Sequence, residues 1–383
     1  MAPTRLTAVR EGRLLRGPET LQLNLTNACN LRCVFCWNHS PLRPDAPQGW
    51  HSRQLEPGHL ASVLDDLPRL RPGHVLLSGR GEPMLHPAIR ELLGALQRHS
   101  IPATIQTNGT TGPAPEELAA LGVGHLLVNI SAATAAGYAE THPARRGLHA
   151  RVVDRLERLA ELRRARGGEP PLESGPSAQD VNRAPAPAVS LVAVIQRSNH
   201  RELLPLLELA QQVGATALHL KGMEPQPGLE PLQLDRGQRD RVRADLLELE
   251  RRCPALDIEL RGEHLQQLLD HPGRRELRSS RPCGALRDEA PQFTEDLRQG
   301  PCYMGWYYLR VTCDGRVMFC CKDKLVDHLD RRSLYQIWRS AAYQLLRTAA
   351  RDGDAVDGPF DDKCLGCSNF ARNRQIHRQL HEG

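Results

Sequence analysis

The sequence predicts an α/β fold, a parallel sheet with crossover helices followed by a smaller, cysteine-rich C-terminal domain. Three observations carry this. Strand-like and helix-like segments alternate about six times between residues 21 and 252, and such alternation implies parallel strands, barrel-like or open. The alternation stops near Cys283, and six of the eleven cysteines then lie between Cys302 and Cys367. Three further cysteines crowd into Cys29-Asn30-Leu31-Arg32-Cys33-Val34-Phe35-Cys36, directly after the first strand.

The elements follow in order. Leu21 to Thr26 alternates apolar and polar residues and carries β-formers, so it reads as a strand ending at the cysteine loop. Glu56 to Leu67 has helical spacing, with Leu60, Val63, Leu64 and Leu67 on one side. His74 to Gly79 is a short apolar strand running into Arg80-Gly81-Glu82-Pro83, and a helix follows over about 86–99. Pro102 to Thr107 is a third strand, Glu116 to Leu121 a short helix, His125 to Ser131 a fourth strand and Gly147 to Arg166 a long amphipathic helix. Residues 167–187 are rich in Pro, Gly, Ser and Ala and predict a mobile loop. Val189 to Gln196 and Ala215 to Lys221 are the fifth and sixth strands, with helices over 201–213 and 234–252. Beyond Cys283, Tyr307 to Cys313 and Arg316 to Cys321 flank Asp314-Gly315, a two-residue hairpin signal. Ser333 to Ala350 reads as one helix, with Leu334, Ile337, Trp338 and Leu345 apolar.

Composition bounds the function. The 383 residues are 40% apolar and 25% charged, enough for a sizeable core. No apolar run approaches membrane-spanning length. The arginine-rich stretch Met1 to Gly17 lacks an apolar signal region. The expectation is a cytoplasmic chain without membrane contact. The net charge of +5 is spread along the chain, so no nucleic-acid partner is expected. Closely spaced cysteines in such a compartment point to metal or redox use, and their odd count excludes complete pairing.

Three thiolates on one loop can hold three irons of a [4Fe-4S] cube and leave the fourth iron open to a small molecule. The competing reading is a structural zinc site with His39 as fourth ligand. In the C-terminal part, seventeen residues separate Cys302 from Cys320, forty-three lead on to Cys364, and two more to Cys367. A zinc-ribbon-like site with four cysteines competes with an iron-sulfur cluster there. In a two-residue hairpin Cys313 pairs with Arg316, which puts Leu309 opposite Cys320. Cys313 and Cys320 then share a face roughly 13 Å apart, and Cys321 points to the other face.

Cys-x3-Cys-x2-Cys after the first strand of an alternating β/α chain resembles the radical SAM superfamily, over roughly the first 260 residues. The resemblance implies a partial (β/α)6 TIM-like barrel over 21–260, preceded by an extension over 1–20. It implies that Cys29, Cys33 and Cys36 hold a [4Fe-4S] cluster whose open iron binds S-adenosyl-L-methionine (SAM). Reductive cleavage of SAM would then yield a 5′-deoxyadenosyl radical that abstracts a hydrogen atom. Phe35 matches the aromatic position by the adenine. Gly81 and Glu82, followed by Pro83, match the segment that contacts the methionine amino group, with Arg80 in place of its first glycine. Ser131 matches a position that commonly meets the ribose, and Thr107 and Asn108 are expected at the same mouth. All lie at carboxyl ends of strands, where parallel sheets place ligands.

The Cys302/Cys320/Cys364/Cys367 set, with Gly315 five residues before Cys320, resembles the auxiliary-cluster domains called SPASM and, when shortened, twitch. No cysteine follows Cys367, so one auxiliary [4Fe-4S] cluster over 261–383 is expected, as in the dehydrogenase acting on 2-deoxy-scyllo-inosamine. Cys313 and Cys321 are expected as ordinary thiols. Cys253 and Cys283 match no ligand pattern, and Cys283 is the better placed as a hydrogen-atom donor. The expected activity is that of a radical SAM oxidoreductase, a net oxidation of a small natural-product or sugar-like precursor. Its partners would be a flavodoxin- or ferredoxin-type electron donor and the substrate, with the chain a monomer. Epimerisation or peptide modification are the alternatives within the family. A non-catalytic zinc-binding module is the alternative outside it. Only about twenty residues precede the first strand, which disfavours a peptide held by an N-terminal binding domain.

Overall fold

The computed structural model describes residues 4–44, 46–143, 147–165, 186–223, 226–263, 265, 269, 301–321, 324–353, 364, 367 and 369–381. Cys283 and nearly all of the loop expected over 167–187 lie outside the described residues. The chain forms two compact units: Met1–Asn27, Ser52–Thr104 and Glu289–Gly383 in one, Ala28–His51 and Ile105–Asp288 in the other. The units therefore interleave along the sequence.

The first unit opens with helix α1 (Arg5–Arg10), strand β1 (Thr20–Leu23), helix α2 (Pro57–Leu70), strand β2 (His74–Leu77) and helix α3 (Ile89–Arg98). Strand β3 (Ala103–Thr107) carries the chain across the division. β1 and β2 are parallel, with Leu21 opposite Val75 and Leu23 opposite Leu77, all buried. Pro57 opens α2 at the first helical position, where its missing N–H leaves no bond unmade.

The second unit continues with α4 (Pro115–Ala120), β4 (Val123–Asn129), α5 (Ala135–Thr141), α6 (Leu148–Ala165), β5 (Ala188–Ile195), α7 (Leu203–Gln212), β6 (Ala217–Gly222), α8 (Arg236–Arg252) and β7 (Glu259–Glu263). β4, β5, β6 and β7 pair in that order, all parallel. β5 is apolar and buried along almost its whole length, as a strand covered on both faces must be. Sequence periodicity missed two elements here. β7 reads Glu-Leu-Arg-Gly-Glu, with no apolar run to mark it. α5 has seven residues and is set by its Thr134 cap rather than by a long amphipathic pattern.

The first unit resumes with α9 (Met304–Tyr307), β8 (Tyr308–Val311), β9 (Arg316–Met318), β10 (Leu325–His328), α10 (Leu334–Trp338), α11 (Ala341–Asp352) and α12 (Phe370–His381). β8 lies parallel to β1, with Leu21 opposite Leu309, so C-terminal residues extend the sheet begun by the first strand. Ala8, Val9, Tyr303, Met304, Trp306, Tyr307 and Ile376 pack α1, α9 and α12 into one apolar cluster.

Two expectations change. The β8–β9 hairpin has a three-residue turn, Cys313-Asp314-Gly315. Arg310 faces Met318, and Thr312 N–H donates to the Arg316 carbonyl at 2.9 Å. Asp-Gly serves this turn equally well, because its last residue is left-handed (Gly315, φ +78°). The one-residue slip exchanges the faces assumed for the following residues. The single helix expected over 333–350 is two, because Ser333 and Ser340 each cap a helix of their own. Leu345, expected on its apolar side, is 72% exposed.

Candidate functional site

In the second unit, Cys29, Cys33 and Cys36 lie on an irregular loop folded by short-range bonds. Cys36 N–H donates to the Cys33 carbonyl at 3.0 Å, and Ser40 N–H to the Cys36 carbonyl at 3.1 Å. The Val34 N–H reaches the Thr141 carbonyl of α5 at 3.1 Å, and Ser40 Oγ donates to the Val34 carbonyl at 2.5 Å. Cys36 Sγ accepts from the backbone N–H groups of Asn38 (3.4 Å) and His39 (3.3 Å). Burial raises the Cys36 pKa, and these two donors oppose it by stabilising a thiolate.

Asn108, at the end of β3, holds the other side of this loop. Its Nδ2 donates to Asn30 Oδ1 at 3.0 Å and lies 3.9 Å from Cys29 Sγ. Its Oδ1 accepts from both the N–H and the hydroxyl of Thr110, at 3.0 and 2.7 Å. Phe35 meets His142 edge-on, with 5.3 Å between ring centroids, and His142 stacks on Tyr138 at 4.4 Å. Burial pushes His142 down to about 3, so the ring is neutral. Thr107 Oγ1 accepts from Gly109 N–H at 3.0 Å. Ser131 is fully buried with φ +51°. Its hydroxyl donates to Asn129 Oδ1 at 2.9 Å and accepts from Val194 N–H at 3.0 Å, tying the end of β4 to β5.

In the first unit, Gly81 and Glu82 follow β2. Glu82 is buried, and its Oε1 accepts from Met84 N–H at 3.1 Å, capping the turn Pro83–Leu85. Cys313 is buried beside Asn27, donating to its Oδ1 at 3.2 Å. Burial pushes this thiol up to about 11; Asp314 adds to the rise, and Arg80 and Arg53 oppose it. Cys313 thus belongs with Asn27 and Arg80 rather than with the C-terminal cysteines.

Five cysteines of the first unit act on one another. Burial pushes Cys302 up to about 12, with further rises from Cys320, Cys364 and Cys321. Cys367 is raised first by a hydrogen bond with the Cys321 thiol. Cys321 was expected on the opposite face from Cys320, but its thiol meets Cys367. The reason is that β9 ends at Met318, so strand alternation no longer governs residues 320 and 321. Cys253 is buried.

Cysteine thiols are donors suited to an iron-sulfur cluster as well as to zinc. Thiolates sharing one tetrahedral zinc lie about 3.8 Å apart, whereas thiolates on the corners of a cube stand farther apart. Among the described residues, no three cysteine sulfurs lie within 4.8 Å of one another, and none forms such a trio with His39. The His39 ring instead stacks on His51, 4.2 Å between centroids.

Two groups of cysteine thiols, one on the loop that follows β1 and one in the C-terminal segment, are thus the candidate metal ligands. The model of the radical SAM superfamily matches residues 23–167, and that of the SPASM iron-sulfur cluster-binding domain matches residues 302–368. The chain is a radical SAM protein with a C-terminal SPASM domain. It is 27% identical over 209 residues to the AdoMet-dependent heme synthase of Methanosarcina barkeri, covering 54% of this chain and 51% of the relative. It is 30% identical over 208 residues to the PqqA peptide cyclase of a Methylobacterium species, covering 54% and 47%. The chain therefore spans about half the length of these two relatives. The structure of Streptococcus suis SuiB bound to S-adenosylmethionine shares the fold, with a TM-score of 0.58 at 15% identity, over 94% of this chain and 73% of that one. The fold is thus the partial barrel expected. A radical SAM domain implies a [4Fe-4S] cluster and SAM, and a SPASM domain implies auxiliary iron-sulfur clusters. None of the described helices is long and apolar enough to cross a membrane.

Proposed function

We propose that this chain is a radical SAM enzyme that abstracts a hydrogen atom from its substrate and completes a net oxidation. The observation that carries it is the pairing of two separate thiol sets, an open three-cysteine loop and a C-terminal group of five mutually acting cysteines. A reduced cluster and SAM, once held there, would supply a 5′-deoxyadenosyl radical. Cys29, Cys33 and Cys36 are the proposed ligands of that cluster. The backbone donors of Asn38 and His39 steady the Cys36 sulfur, and Asn108 fixes the loop through Asn30. Phe35, Gly81, Glu82, Thr107 and Asn108 are the proposed SAM contacts. The Ser131 hydroxyl already has a donor and an acceptor bond, so its proposed part is to shape the end of β4. Cys302, Cys320, Cys364 and Cys367 are proposed to hold one auxiliary cluster, which would supply an acceptor for the substrate's electron.

A second reading, modification of a peptide, is favoured by the 30% identity to a PqqA peptide cyclase. Both readings share the same first test. The anaerobically reconstituted protein should hold about eight irons per chain and release 5′-deoxyadenosine from SAM when dithionite is added. Cys33→Ala should abolish that release, and Cys364→Ala should lower iron while sparing some cleavage. Tightly bound zinc with no SAM cleavage would sink the proposal. Deuterium transfer into 5′-deoxyadenosine from labelled small molecules or peptides then separates the two substrate classes.

A further inference from the structure

Away from both thiol sets, the first unit gathers His59, His328 and Asp330. His59 stands in the first turn of α2, His328 ends β10, and Asp330 lies just beyond it. One ligand atom from each lies within 4.8 Å of the other two, and among the described residues no other trio of His, Cys, Asp or Glu does so. His59 Nε2 is 2.7 Å from Asp330 Oδ1, and His328 Nδ1 is 3.1 Å from Asp330 Oδ2. Ligand atoms around a tetrahedral zinc lie about 3.3 Å apart; the His328–Asp330 distance is close to that, and the His59–Asp330 distance is shorter, that of a direct hydrogen bond.

Two further details describe the donors. His328 Nδ1 accepts a hydrogen bond from Asp330 N–H at 3.2 Å and lies 3.1 Å from Asp330 Oδ2, so an ion bound at this nitrogen would take the place of the backbone N–H. His59 Nδ1, in contrast, is buried without a hydrogen-bond partner, so that ring's only engaged nitrogen is the one facing Asp330. The turn leaves room for both rings. A Cβ on Gly315 would lie 2.7 Å from His59 Cε1 and 2.8 Å from His328 Cε1. Asp330 is exposed, so water reaches its carboxylate, and Arg331 acts on the same carboxylate.

We propose that His59, His328 and Asp330 form a zinc site, His2Asp plus water. The ion would clip helix α2 to the turn and strands that lead to Cys320 and Cys321. Asp330 would exchange its imidazole hydrogen bonds for coordination, and His59 would bind through Nε2.

The test adds Zn²⁺ to the iron-sulfur-loaded full chain and measures zinc, iron and sulfide after gel filtration. The wild type should retain about one zinc per chain that Asp330→Asn and His59→Gln lose, with iron and sulfide unchanged. Zinc should raise the wild-type Tm by about 2–4 °C and leave that of Asp330→Asn unmoved. Equal zinc in wild type and Asp330→Asn overturns the site, as does a wild type that retains none. If His59→Gln fails to fold, Asp330→Asn decides alone, because its side chain is exposed. If the clusters fail to load, thiol-bound zinc would be common to all variants, and the difference between wild type and Asp330→Asn still reads this site.

Discussion

The side-chain amide of Asn108 donates to Asn30 Oδ1 at 3.0 Å, joining the end of β3 to the second residue of the cysteine loop. The same side chain also takes up Thr110 and approaches Cys29 Sγ. Asn108→Ala should therefore loosen the loop without removing a thiol. Losing these buried polar contacts costs about 1–3 kcal/mol. The expected outcome is a lower Tm and about tenfold less 5′-deoxyadenosine per minute, with Asn108→Asp recovering part of both. Unchanged iron retention and cleavage rate in Asn108→Ala would remove Asn108 from the positioning role.

Cys320 and Cys321 offer adjacent thiols for one corner of the proposed auxiliary cluster. The Gly-x4-Cys spacing from Gly315 favours Cys320, although Cys321 touches Cys367. Cys320→Ala should lower bound iron by about four per chain, and Cys321→Ala should leave it unchanged. Iron analysis and the electron paramagnetic resonance signal of the reduced protein decide between them; the reverse pattern would transfer the ligand role to Cys321.

Gly315 holds φ +78° with two imidazoles against its α-carbon. Gly315→Ala combines an unfavourable backbone with a clash, and should destabilise by about 1–3 kcal/mol. Urea unfolding should place its midpoint below the wild type. Gly147 also has a positive φ, +80°, but an added methyl there would meet nothing within 4 Å, so Gly147→Ala should be milder.

Acid should weaken the second unit. Burial holds His142 and His219 down to about 3 and His125 to about 4. The unfolded chain binds these protons near pH 6.5, while the folded chain refuses them until pH 4 or 3. The unfolded state thus gains protons first as pH falls, and stability is lost through the window from about 6.5 to 3. Each ring contributes about 1–2 kcal/mol of loss by pH 5. The urea midpoint should fall between pH 7 and pH 5, and His219→Leu should flatten that dependence.

Local patterning determined the fold class, the strand-end series and the three-cysteine loop. Period-two and period-3.6 apolar spacing is written in neighbouring residues, and so is the spacing of Cys29, Cys33 and Cys36. The hairpin register was not legible, because Asp314-Gly315 suits turns of two and three residues and only the pairing of β8 with β9 selects one. The meeting of Cys321 with Cys367 and the satisfaction of the Ser131 hydroxyl by Asn129 and Val194 also depend on segments far apart in the chain. The trio of His59, His328 and Asp330 spans 271 positions and leaves no motif in the sequence. Periodicity sets which way a residue faces within its own element; which distant side chain it meets is decided by packing, and that only the tertiary structure supplies.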